Sequence, residues 1–158
     1  MVERVLDAGA VGINVEDTVH FEGGRQRSAE EHAEFIRAIR AAADAAGVDL
    51  VVNARTDVFL KPAGTFDDPL AEAIARLQAC EEAGARCVYP VLAPDTDAVR
   101  TLLGELSGPI NVIAHPVGGS TVGSLDDVRA LGVHRVSFGP LLQGALAETI
   151  TELVTPWR

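Results

Sequence analysis

Cysteine is nearly missing from this chain. The two that occur, Cys80 and Cys87, lack metal-type spacing, so the sequence spells out no thiolate metal centre. One falls in an apolar helical pattern and the other in a strand, and both read as buried free thiols. Reduced thiols without a targeting segment point to the cytoplasm. Cations are also in deficit: 13 Lys and Arg stand against 23 Asp and Glu, a formal net charge of −10. That argues against a nucleic-acid partner, which would want a basic patch. No apolar run approaches the ~20 residues of a membrane helix, so no membrane partner is expected. The N-terminus alternates charged and apolar residues, unlike a signal peptide. Repeats, linkers and low-complexity segments are absent. What remains is 158 residues of which 47% are apolar, enough for a single domain over residues 1–158 with a sizeable core and too apolar for disorder.

Along the chain, strand and helix patterns alternate. Val2 to Ala8 reads as a short helix stopped by Gly9, and a helix this short implies that something precedes it. Strands are expected at Ala10–Val15, Leu50–Ala54, Cys87–Tyr89, Ile110–Ala114 and Val133–Phe138, apolar on both faces. The helices between them carry clear start signals. Ser28 and Glu31 form a capping box. Asp68-Pro69 pairs an N-cap with proline at the first helical position. Pro94-Asp95, Ser124 to Asp127 and Pro140 open three further helices. Thr18 to Arg27 and Pro116 to Gly123 are expected as loops.

Five β–α repeats mean a parallel sheet covered by helices. Two architectures fit. An open doubly wound sheet would carry a glycine-rich phosphate turn after its first strand, whereas here that turn is Glu16-Asp-Thr-Val-His20. The other is part of a (β/α)₈ barrel, which needs about 250 residues when whole. Side chains alternate across a strand. If Glu16, Arg55 and His115 face a barrel interior, then Asn14, Asn53 and Asn111 face it too, giving a hydrogen-bonded polar layer beneath a polar site.

Ligands of parallel α/β proteins bind beyond the carboxyl ends of the strands. Gly12 to Thr18, a strand running into two adjacent carboxylates, is the stretch around which the rest is organised. Glu16 and Asp17 end the first strand, Arg55-Thr56-Asp57 the second, His115 the fourth, and Ser137 lies before Gly139 at the fifth. Arg55 would supply a guanidinium fork for a carboxylate, and Asp57 a carboxylate that holds Arg55. His115 reads either as an acid–base group or as a structural histidine. His20 reads as solvated, Arg25 and Arg27 as surface charge or as contacts to an anionic substrate, and Gly118-Gly119-Ser120 as a weak phosphate-loop signal.

Gly-Ile-Asn-Val-Glu-Asp from Gly12, Asn-Ala-Arg-Thr-Asp from Asn53 and Ala-Gly-Ala-Arg-Cys-Val-Tyr-Pro from Ala83 resemble the isocitrate lyase/phosphoenolpyruvate mutase superfamily, in order and in spacing. The resemblance covers essentially the whole chain and lies nearest the phosphonomutase-like branch. It implies a partial (β/α)₈ TIM-type barrel with five parallel strands, the family's strands 4–8, and the first three βα segments absent. It implies Mg²⁺ and a small 2-oxo or 2-hydroxy carboxylate substrate, with a C–C or P–C bond made or broken through an enolate. By this likeness Glu16 belongs to the metal site through water. Arg55 and His115 would be catalytic, and Arg55, Asn14 and Asn53 would bind substrate, with Asp17 and Asp57 behind them. The family's last helix packs on a neighbouring subunit, which implies a homo-oligomer. Three features depart from the pattern. The main metal-binding aspartates lie on segments this chain does not have. The loop His20 to Arg27 has no cysteine, and Val91 stands where lyases carry glutamate and mutases histidine. The alternative reading is a non-catalytic fragment of such a barrel that persists by self-association.

Overall fold

The computed structural model describes residues 2–157. Helix α1 spans Val2–Asp7 and strand β1 Gly12–Glu16. The polar segment that follows is not a simple loop. Strands β2 (Thr18–Val19) and β3 (Arg25–Gln26) pair antiparallel in a short hairpin around the turn His20–Glu22. Helix α2 (Ala29–Ala45) and strand β4 (Val51–Thr56) come next, then α3 (Pro69–Glu82), β5 (Cys87–Pro90), α4 (Thr96–Glu105) and β6 (Asn111–His115). Strand β7 (Gly119–Ser120), helix α5 (Leu125–Ala130), strand β8 (Arg135–Ser137) and helix α6 (Leu141–Val154) complete the order.

The helix starts behave as capping chemistry requires. The Ser28 hydroxyl accepts from the Glu31 amide at 3.1 Å while Glu31 accepts from the Ser28 amide at 2.8 Å. Each interaction satisfies a donor that the helix itself leaves orphaned. Asp68 does the same for Leu70 and Ala71 at 3.0 Å. Gly84 ends the α3 segment at φ +98°, where an added Cβ would also meet the Arg40 side chain at 3.2 Å. Only glycine takes that conformation without strain.

Strands β1, β4 and β5 pair in parallel, as do β6 and β8, and a single parallel bridge, Val88 to Ile110, joins β5 to β6. Spatial order thus follows chain order, with no reversal of the kind a doubly wound sheet shows. The arrangement is that of part of a βα barrel. The strands are not apolar on both faces. Val15, Val52 and Ala54 pack with Ala33, Ile36, Ile39 and Ala43 of α2. Val88, Ile110 and Val112 pack with Leu77, Val99 and Leu102. Burying each such Ile or Leu contributes about 2 kcal/mol. The alternate positions, on the face away from these helices, carry Asn14, Glu16, Asn53, Arg55, Cys87, Tyr89, Asn111, Arg135 and Ser137. Helix α6 buries none of its residues. Among the described residues no helix is long and apolar enough to cross a membrane.

Candidate functional site

The strands end later than their apolar runs suggest. Leu50–Ala54 becomes Val51–Thr56, and Ile110–Ala114 becomes Asn111–His115. Arg55 is therefore inside β4 and paired in register with Glu16 of β1 and Tyr89 of β5. Register fixes which side chains meet. Arg55 Nη1 lies 3.1 Å from Glu16 Oε2, Arg55 Nε donates to Asp57 Oδ1 at 2.6 Å, and the guanidinium carbon sits 5.9 Å from the Tyr89 ring centroid. One layer below, Asn53 Nδ2 donates to Asn14 Oδ1 at 2.7 Å, while the buried Asn53 Oδ1 has no partner.

Adjacent residues of a strand point to opposite faces, and the two neighbouring carboxylates part company accordingly. Glu16 joins Arg55 on the polar face, and Asp17 turns into the helix layer, fully buried. There Asp17 accepts from Thr56 Oγ1 at 2.7 Å, Gln26 Nε2 at 2.9 Å, the Asp57 amide at 3.0 Å and Arg76 Nη1 at 3.3 Å. Four donors offset the desolvation of one carboxylate. Arg76, from α3, also donates to the Arg27 carbonyl at 2.6 Å, and Arg27 Nη1 donates to the Glu16 carbonyl at 3.1 Å. This framework fixes the backbone of both strand ends. Asp57, held from behind by Asp17, accepts from Thr18 Oγ1 at 2.6 Å as well as from Arg55.

His32 of α2 stands under this framework, 1% exposed, and neither ring nitrogen has a hydrogen-bond partner. Burial holds it below the ordinary histidine pKa. The positive charges of Arg27 and Arg76 add to that effect, and Asp17 opposes it. Burial likewise pushes the Cys80 thiol up to about 12, and raises Cys87 and Tyr89.

The other expected residues divide. His20 is not simply solvated, because its Nε2 lies 2.6 Å from Glu16 Oε1. Arg25 is taken up by Glu22 and Glu31, and Arg27 stacks on Phe35 at 4.5 Å. His115 does not join the Glu16–Arg55 cluster. It lines a separate cavity of about 430 Å³ with Gly118, Ser120, Ser124 and Phe138. Its Nδ1 accepts from the amides of Val117 at 3.2 Å and Gly118 at 3.0 Å. The amides of Ser120 and Gly123 are spent on each other's carbonyls, and that of Val122 on Ser120 Oγ. Five of the N–H groups between Val117 and Gly123 are thus engaged within the loop itself. Tyr89 is the residue of the cluster that sequence reasoning passed over. Its signal was its register with Arg55, which becomes visible only once the strands are paired.

A magnesium ion takes about six oxygen ligands. Here Glu16 and Asp57 both bring carboxylates to Arg55, and their oxygens are engaged by Arg55, His20 and Thr18. Among the described residues, no group of three or more His, Cys, Asp or Glu stands where it could hold a metal ion. The donor set of this chain does not by itself fit the ion.

Residues 1–156 match the family described as phosphoenolpyruvate phosphomutase. No curated protein matches the chain. Among solved structures, a phosphonomutase-like protein from Burkholderia cenocepacia J2315 is similar at 34% identity and a TM-score of 0.85, over 99% of this chain and 62% of that one. Phosphonopyruvate hydrolase, solved with oxalate and Mg²⁺, is similar at 26% identity and a TM-score of 0.69, over 97% of this chain and 54% of that one. A 2,3-dimethylmalate lyase shares the fold at 24% identity and a TM-score of 0.78, over 96% of this chain and 51% of that one. The chain thus spans between half and two-thirds of the length of these structures.

Proposed function

Since the chain belongs to the phosphoenolpyruvate phosphomutase family, we propose that Arg55 receives the carboxylate of a small 2-oxo or 2-hydroxy acid on the polar face of the sheet. The observation that carries this is the state of the Arg55 side chain. Asp57 and Glu16 engage Nε and Nη1, and the side chain stays 27% exposed. A guanidinium held by two carboxylates and still open to solvent is preorganised for a planar anion. The unpartnered Asn53 Oδ1 adds a buried acceptor that a ligand hydroxyl or a water would satisfy.

In the whole barrel this chain would supply strands 4–8. The reaction would be the making or breaking of a C–C or P–C bond beside that carboxylate. The Mg²⁺ of such a site would act as a Lewis acid, and its direct ligands would come from βα segments outside this sequence, with Glu16 reaching it through water. Arg55 orients the acid, Asp57 and Asp17 keep Arg55 in place, and His20 covers Glu16 from the hairpin side.

Isothermal titration with oxalate, with and without added Mg²⁺, tests the assignment. Saturable binding is expected, and Arg55→Ala should weaken it by at least about tenfold, the worth of one charge-assisted pair. Equal affinity in Arg55→Ala would remove Arg55 from the site.

One observation favours a second reading, a non-catalytic module that persists by self-association. Leu142, Leu146, Ile150 and Leu153 form an exposed stripe along α6, between 43% and 68% accessible, and an apolar stripe of this length calls for a cover.

A further inference from the structure

We infer that Tyr89 is a positioning residue for Arg55, closing one face of the guanidinium so that its open edge is held toward the ligand. The inference rests on the assignment of Arg55 as the carboxylate-binding residue. Three observations carry it. The register of β4 and β5 places Tyr89 directly beside Arg55. The guanidinium carbon lies 5.9 Å from the ring centroid, within the range of cation–π attraction. The ring is itself fixed, since Tyr89 is 4% exposed.

The rest of the environment explains why a ring is needed there. Asp57 and Glu16 restrain Arg55 in the guanidinium plane, but edge contacts leave rotation out of the plane soft. A buried aromatic face is the element that opposes it. The electrostatics agree, because Arg55 and Arg135 both favour the ionised phenol against the upward push of burial.

The test compares the full chain with Tyr89→Phe and Tyr89→Leu, reading solvent exchange of the Arg55 Nε–H by NMR on isotope-labelled protein. The Arg76 Nε–H, bonded to Glu72 at 2.7 Å, serves as the internal reference. In Tyr89→Leu the Arg55 proton should exchange about threefold to tenfold faster, the scale of one cation–π contact, with Arg76 unchanged. Tyr89→Phe keeps the ring and should leave both at wild-type rates. Unchanged Arg55 exchange in Tyr89→Leu overturns the inference. So does equal loosening of both arginines, or a Phe variant as loose as the Leu variant. If Tyr89→Leu does not fold, Tyr89→Met takes its place with the same expectations. Oxalate titration of the same variants separates the two claims. Weaker binding in the Leu variant, by the same factor, joins them, whereas a wild-type chain that ignores oxalate defeats the carboxylate assignment alone and leaves the exchange result to decide Tyr89.

Discussion

The Arg55 Nε donates to Asp57 Oδ1 at 2.6 Å, two residues along the same strand end, and Asp57 is in turn held by Thr18 at 2.6 Å and through its own amide by Asp17. A cation is thus clamped by a carboxylate that the neighbouring strand has already immobilised. Asp57→Ala removes the clamp and leaves the Thr18 hydroxyl and Arg55 Nε without their acceptor. Removing one member of a buried charged hydrogen bond costs about 2–3 kcal/mol, here kept at the lower end because Arg55 is 27% exposed. We expect the urea midpoint to fall accordingly. In a double-mutant cycle with Arg55→Ala, a coupling of at least about 1 kcal/mol should appear. Strict additivity would show that the contact does not hold the arginine.

His32 makes stability depend on pH. Its folded-state pKa is lowered from 6.5, first by burial and then by Arg27 and Arg76, against the pull of Asp17. The unfolded chain therefore binds a proton before the folded one does, and stability rises with pH across that interval. The contribution is complete above the unfolded value and is lost as pH falls below it toward the folded one. His32→Leu fills the site with an apolar group that cannot titrate. The loss of urea stability between about pH 7.5 and pH 5.5 should be smaller in the variant than in the wild type. Parallel curves for the two proteins would show that His32 takes no part.

Much of this was legible in the sequence, and the failures have physical causes. Capping signals are local, so Ser28, Asp68 and Ser124 marked helix starts that the structure repeats. The parity of Asn14 and Asn53 is also local, and the two meet at 2.7 Å. Asn111 shares their face but bonds to β8 instead, because Cys87 and Tyr89 stand between. The ends of the second and fourth strands fall one or two residues beyond the apolar runs, since Arg55 and His115 are polar, and the fifth ends at Ser137, one residue before Phe138. Glu16 and Asp17 are adjacent in sequence, and a strand sends them to opposite faces. Arg76 and His32 came from helices whose apolar stripes gave no sign of a polar framework beneath. Pairing, and not composition, decides such contacts.

The last helix predicts an assembly. Leu142, Leu146 and Ile150 recur every four residues along α6, the spacing of one helical stripe, with Leu153 close by, and Trp157 follows at 89% exposure. Left in water, these side chains forgo roughly 1.5–3 kcal/mol apiece, and a second copy of the chain offers the same face in return. Sedimentation velocity should find the wild type larger than a monomer and concentration dependent. Leu146→Glu with Ile150→Glu should shift it to the monomer, while the helix itself persists, since both side chains are more than half exposed. A wild-type chain that sediments as a monomer at every concentration would leave the stripe without a partner of its own kind and would remove the self-association reading.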